Sequence, residues 1–169
     1  MTVTEKDLTN TNISTRYELS PVRNFIGDLS GLLASFTDEL IGAFFPRTIS
    51  KKANIVITEL VNNAVRNTAD ENSKIVLETG INRKLLVIRV TNVAGPEQYA
   101  AVWNRIERIS TSEDPRKLLA QTIRERRKER LRGGLGLIRL AAENKFDLSA
   151  AYDAPYLTVE SRIALGGLL

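Results

Sequence analysis

Two runs with strand character, residues 74–79 and 84–91, are separated by a short turn around Gly80-Ile81-Asn82. So short a connection joins antiparallel neighbours only, since a parallel crossover needs roughly a dozen residues or more. The chain therefore contains a hairpin, and everything else must fold against it. Upstream the apolar spacing changes. Val22, Phe25, Ile26, Leu29, Leu32, Leu33, Phe36 and Leu40 recur at three- and four-residue steps, which predicts one long amphipathic helix that opens at Ser20-Pro21 and is closed off by Pro46. Ala53, Ile57, Leu60, Val61 and Ala64 predict a second helix from near Ser50 to about Asn67.

Downstream of Pro96, helical spacing returns in Tyr99, Val102, Trp103 and Ile106. Residues 110–132 are charged and interrupted at Asp114-Pro115, with a helix expected over 116–130 and mobility expected of the segment. A further helix over 137–144 precedes strands at 146–151 and 156–164, and a short strand is expected at 17–19. This order predicts an α+β fold, a two-layer α/β sandwich with helices on one face of a mixed, mostly antiparallel sheet. Residues 1–14 read as a flexible tail and 15–169 as a single domain.

Composition removes whole classes of function. The 169 residues include no histidine and no cysteine, so His/Cys metal centres and imidazole-based triads are excluded, and any catalytic base is a carboxylate, a lysine or a tyrosine. No apolar run approaches the roughly 18 residues that span a bilayer, and the polar opening Met1-Thr2-Val3-Thr4-Glu5 lacks a signal-peptide core. A cytoplasmic protein with no membrane partner is expected.

Three features are able to carry chemistry. Glu59 and Asn63 are four apart and share one helix face, offering a carboxylate as base and a carboxamide oxygen as a hard ligand for Mg²⁺. The same pair also suits a plain solvated face. Gly133, Gly134, Leu135 and Gly136 form a turn whose backbone can approach an anion closely ahead of a helix, and they equally suit a loop-to-helix junction. Residues 124–132 carry six basic and two acidic side chains. They read as a helix face paired internally through Glu125 with Lys128 and Glu129 with Arg132, as a lid over a polyphosphate, or as a docking surface for an acidic partner. Without interleaved aromatics the run makes no evident nucleic-acid footprint.

In this order the features resemble the GHKL (Bergerat-fold) ATPase superfamily. Ile57-Thr58-Glu59-Leu60-Val61-Asn62-Asn63-Ala64 looks like its N box, and Gly133 to Leu137 followed by a helix looks like its second glycine box. The form of the N box and the single-domain size resemble the anti-sigma-factor serine/threonine kinases, and the long first helix with the basic insertion resembles the SiaB-type branch. The resemblance implies ATP and Mg²⁺ as cofactors, with Glu59 as general base, Asn63 as the metal ligand, and Asn67, Arg132, Gly133, Gly134, Leu135 and Gly136 around the nucleotide. It implies a lid over 96–132. It further implies a small antagonist protein (STAS-like or related) as substrate, in some members a sigma factor as partner, and a homodimer. Where the family carries Asp-x-Gly-x-Gly, this chain reads Asn92-Val93-Ala94-Gly95. The Asn92 carbonyl retains the acceptor for the adenine amino group without the charge, a loss of about 1 kcal/mol or a little more. A catalytically inactive binding module of the same fold is the alternative that this departure leaves open.

Overall fold

The computed structural model describes residues 11–128 and 134–166. Five strands form one sheet: β1 (Ile13–Leu19), β2 (Ile75–Ile81), β3 (Leu85–Val93), β4 (Asp147–Asp153) and β5 (Tyr156–Ala164), in the spatial order β1-β2-β3-β5-β4. Every pairing among the described residues is antiparallel, so the parallel component of a mixed sheet is not seen among them. β2 and β3 form the expected hairpin, with Ile81 opposite Leu86. In its turn the Asn82 side chain accepts from the N–H groups of Lys84 and Leu85, as a short polar side chain commonly does in a turn.

Alternation along the strands separates two faces. On β3, Leu86, Ile88, Val90 and Asn92 are buried beneath the helices, while Arg89 faces solvent. On the open face the register sets Arg16, Glu78, Arg89 and Glu160 side by side across four strands, a row of alternating charge. Arg16 pairs with Glu78 at 2.7 Å, and Glu160 takes both Arg89 and Arg162. Burial alone would raise the Glu160 pKa; the hydrogen bonds from Arg162 and Arg89 outweigh it and hold the carboxyl below its ordinary range.

The helical layer is α1 (Leu29–Gly42), α2 (Arg47–Asn67), α3 (Pro96–Ser110), α4 (Pro115–Lys128) and α5 (Gly136–Ala142). α2 is central: Ile49, Ala53, Val56, Ile57, Leu60, Val61 and Ala64 are buried along one stripe against the sheet and α1. Lys51 on α2 bonds the buried Asp38 of α1 at 2.5 Å, and this contact, with Ser50, lowers the Asp38 pKa. Among the described residues no helix is long and apolar enough to cross a membrane.

The expected first helix is shorter than its apolar spacing suggests. Residues 22–24 form a single 3-10 turn, Gly27 takes a positive φ of 104°, and α1 starts only at Leu29, where Asp28 accepts from the Gly31 N–H at 2.8 Å. Ile26, counted in the apolar stripe, is fully exposed. Pro46 acts as the N-cap of α2, so that helix begins three residues ahead of Ser50. At the other end of the chain α5 stops at Ala142, short of Asn144. Lys145 adopts a φ of 61° and its N–H reaches back to the Ala141 carbonyl, a left-handed cap on a residue other than glycine. β1 reaches back to Ile13, into the segment read as tail, and residues 1–10 lie outside the described residues.

Candidate functional site

Glu59, Asn63 and Asn67 stand one above another on α2, a turn apart. They are linked: Asn63 donates its Nδ2 to Glu59 Oε1 at 3.0 Å, and Asn67 donates its Nδ2 to the Asn63 carbonyl at 2.7 Å. Glu59 and Asn63 are half-buried, and Asn67 is exposed. Because its amide nitrogen is engaged by Glu59, Asn63 has its side-chain oxygen as the acceptor left for a ligand.

That side chain lines a cavity of about 270 Å³ between α2, the inner face of β3 and β5, and α3. Asn67 and Asn92 line it as well. Asn92 is only 4% exposed and closes the inner row of β3, its Nδ2 donating to the Val93 carbonyl at 3.0 Å. Leu60, Ala64, Val90 and Leu157 supply apolar walls, so the cavity combines a greasy body with a few placed amides.

The glycine turn meets this helix directly. A Cβ built on Gly136 would fall on the carboxyl group of Glu59, which lies against the Gly136 backbone. Gly134 has a φ of 75°, and a Cβ there would meet the Arg126 guanidinium at 2.8 Å. Both glycines thus permit a close approach, one by the carboxylate from α2 and the other by an arginine from α4, and the positive φ of Gly134 itself favours glycine. Leu135 between them packs into the core, and its carbonyl accepts from Arg139 N–H at 2.9 Å in the first turn of α5. Arg132 and Gly133 lie outside the described residues.

Gly95 takes a different place. It caps α3 and its N–H already donates to Gln98 Oε1 at 2.8 Å, and it does not line the cavity. Ala94 is buried with its N–H on the Pro155 carbonyl and its own carbonyl accepting from Tyr152 Oη, at 2.8 and 3.0 Å.

The α3 wall is where reading the sequence missed residues. Gln98 and Arg105 face the cavity on either side of Val102, and Glu97 joins them. The signal was present in the sequence: positions 98, 102 and 105 share a helix face, although polar residues at that spacing suit a solvated face equally. Tyr99 stacks on Tyr152 of β4 with centroids 4.9 Å apart, and Trp103 packs beside Tyr99 at 6.0 Å. These rings clip α3 to the sheet edge and do not line the cavity.

A larger cavity, about 740 Å³, opens where α3 turns into α4. It mixes Glu113, Asp114 and Asp147 with Arg116 and Lys145, and none of the site residues named above lines it. The smaller cavity, where amides converge on an apolar body beside the paired glycines, is the candidate site.

For Mg²⁺ the donor set is of the kind this ion accepts. Among the described residues no group of three carboxylates is placed to hold a metal ion. Mg²⁺ commonly takes one or two protein oxygens and completes its shell with water and substrate phosphates. Asn63 Oδ1 provides one such oxygen at the cavity wall.

No protein-family model matches the sequence, and no curated protein matches it. A solved structure does match. A chain of the crystal structure of the SiaB-SiaC complex from Pseudomonas aeruginosa superposes with a TM-score of 0.65, covering 89% of this chain and 89% of that one at 14% identity. At that identity the likeness is one of fold.

Proposed function

We propose that this chain is an ATP- and Mg²⁺-dependent serine/threonine protein kinase that acts in a bacterial partner-switching pathway by phosphorylating a small antagonist protein. The observation that carries the reading is the meeting of Glu59, Asn63 and Gly136 beside a cavity with Asn92 in its wall. The similar solved chain belongs to a two-protein complex, which suits a protein partner here.

In this reading the apolar walls take the adenine, and Asn92, with Nδ2 held by Val93, presents its carbonyl to the amino group. Asn63 Oδ1 holds Mg²⁺, which supplies charge neutralisation of the phosphates. The turn at Gly134 would lie at the phosphates, with the Arg126 guanidinium beside it as counter-charge, while the Glu59 carboxyl takes the open side of Gly136. Glu59 Oε2 accepts the proton of a serine or threonine hydroxyl. The hydroxyl oxygen of that serine or threonine forms a bond to the γ-phosphorus as the bond to the β-γ bridging oxygen breaks, which yields phosphoprotein and ADP.

One observation favours a second reading, a binding module without catalysis. The Asn92 to Gly95 segment departs from the glycine-box pattern, and the backbone groups of Ala94 and Gly95 are already bonded within the protein. Calorimetric titration with ATP, with and without Mg²⁺, beside Asn63→Ala separates the two. The kinase reading expects Mg²⁺-dependent binding that weakens in the variant. No binding at millimolar nucleotide leaves only the binding module.

A further inference from the structure

The basic helix α4 presents two different faces. Its inner face buries Leu118, Leu119 and Thr122 and turns Arg126 toward Gly134. Its outer face carries Lys117, Arg124, Arg127 and Lys128, all exposed. Arg124 lies seven residues beyond Lys117, and Arg127 and Lys128 three and four residues beyond Arg124, so the four share one side of the helix over about 16 Å.

The sequence pairs Glu125 with Lys128, which would partly neutralise this face. The structure sends Glu125 elsewhere. Its carboxylate accepts from Gln121 at 2.7 Å and from Arg108 of α3 at 3.4 Å, and the Lys128 charge is the weakest of the influences on it. Among the described residues none of the four outer cations has an ion-pair partner. Like charges one turn apart, such as Arg124 and Lys128, destabilise an isolated helix by a few tenths of a kcal/mol per pair. A face that keeps them without ion-pair partners among the described residues is complementary to an external negative one.

We propose that the outer face of α4 is the docking surface for an acidic segment of the partner protein, and that docking there delivers the acceptor hydroxyl to the cavity. The proposal rests on the kinase reading for its functional consequence. It follows from continuity: the helix that carries the outer cations is the one that places Arg126 on Gly134. A partner seated on α4 therefore lies one helix diameter from the phosphate end of the site. The absence of aromatic side chains from the stripe favours an acidic protein over a single-stranded nucleic acid, which would need stacking partners.

A fluorescein-labelled decaglutamate peptide provides the probe, with a 12-base-pair DNA duplex and phosphatidylserine vesicles as competitors of other classes. Fluorescence anisotropy is expected to show peptide binding that weakens roughly tenfold between low and physiological salt. The triple variant Lys117→Glu, Arg124→Glu, Arg127→Glu is expected to lose at least about tenfold in peptide affinity. A charge-matched control, Arg23→Glu, Arg47→Glu, Lys84→Glu, changes net charge equally at exposed sites away from α4 and is expected to bind as wild type does. Equal loss in both variants, or tighter binding of the duplex or the vesicles than of the peptide, overturns the proposal. ATP titration of the same α4 variant keeps the two readings apart. Nucleotide binding without peptide binding supports docking on α4, and peptide binding by a wild type that takes no nucleotide refutes the kinase reading alone. Circular dichroism checks folding, and a misfolded triple variant is replaced by the single Arg124→Glu, for which about a threefold loss is expected and no loss overturns the proposal.

Discussion

The carboxyl group of Glu59 occupies the space into which a side chain on Gly136 would project, so that the α2 carboxylate and the glycine turn are mutually dependent. Gly136→Ala is therefore expected to drive Glu59 away from the turn. The group displaced is the end of a flexible, half-buried side chain, so the expected cost in stability is small, below about 1 kcal/mol, and loss of phosphate transfer is the main effect. Thermal melting and a transfer assay on the same preparation check it. A variant that melts and reacts like wild type would show that the carboxyl group can leave Gly136 at no cost.

Glu59→Ala removes the proposed base and leaves the cavity walls in place. Phosphate transfer is expected to fall by roughly 10²–10⁴-fold with nucleotide affinity changed little. Arg126→Ala is expected to lower transfer by roughly 10²-fold, again with modest change in binding. Radiolabel transfer beside calorimetric titration separates the two quantities. Transfer by Glu59→Ala at the wild-type rate assigns the base elsewhere.

Lys145 holds a left-handed φ of 61° at the end of α5, a conformation costly for any residue with a Cβ. Lys145→Gly keeps the backbone bond from residue 145 to Ala141 and is expected to stabilise the fold by about 1 kcal/mol. For a domain of this size the melting temperature should rise by about 2–4 °C. An unchanged or lower value would mean that the lysine side chain compensates its strained backbone.

Glu160 and Asp38 both have pKa values held below their ordinary range by basic and hydrogen-bonding partners. The sign follows from linkage: a carboxyl depressed in the folded state contributes its stabilisation in full above its unfolded pKa and loses it as the pH falls through the folded value. Unfolding midpoints in urea should therefore hold steady down to about pH 5 and decline below about pH 4. Glu160→Gln should lower stability at neutral pH and flatten the acid decline. An identical decline in the variant would assign the acid sensitivity to Asp38 and other groups.

Much of the layout was legible in the chain because it depends on local chemistry. The short turn at Asn82 dictated the hairpin, and the stripe from Ala53 to Ala64 dictated α2. The four-residue spacing of Glu59 and Asn63 dictated their shared face, where they do bond each other. Local reading failed where two local signals competed. The apolar spacing from Val22 to Leu40 runs unbroken through a position at which Gly27 ends one element and Asp28 caps the next, and spacing alone does not register that break. The α4 charges failed for another reason: Glu125 has a partner of equal merit on its own helix and on α3, and only packing chooses between them.

By itself the sequence determined the element types, the antiparallel hairpin and the residue kinds available for chemistry, since these follow from periodicity, turn length and the lack of histidine and cysteine. Only the tertiary structure decided which groups meet. It laid Glu59 on Gly136 and Arg126 on Gly134, set Gly95 as the cap of α3, and brought Gln98 and Arg105 into the wall. Such meetings depend on how helices lie across a sheet, and that geometry is set by the packing of the whole core rather than by any local stretch of chain.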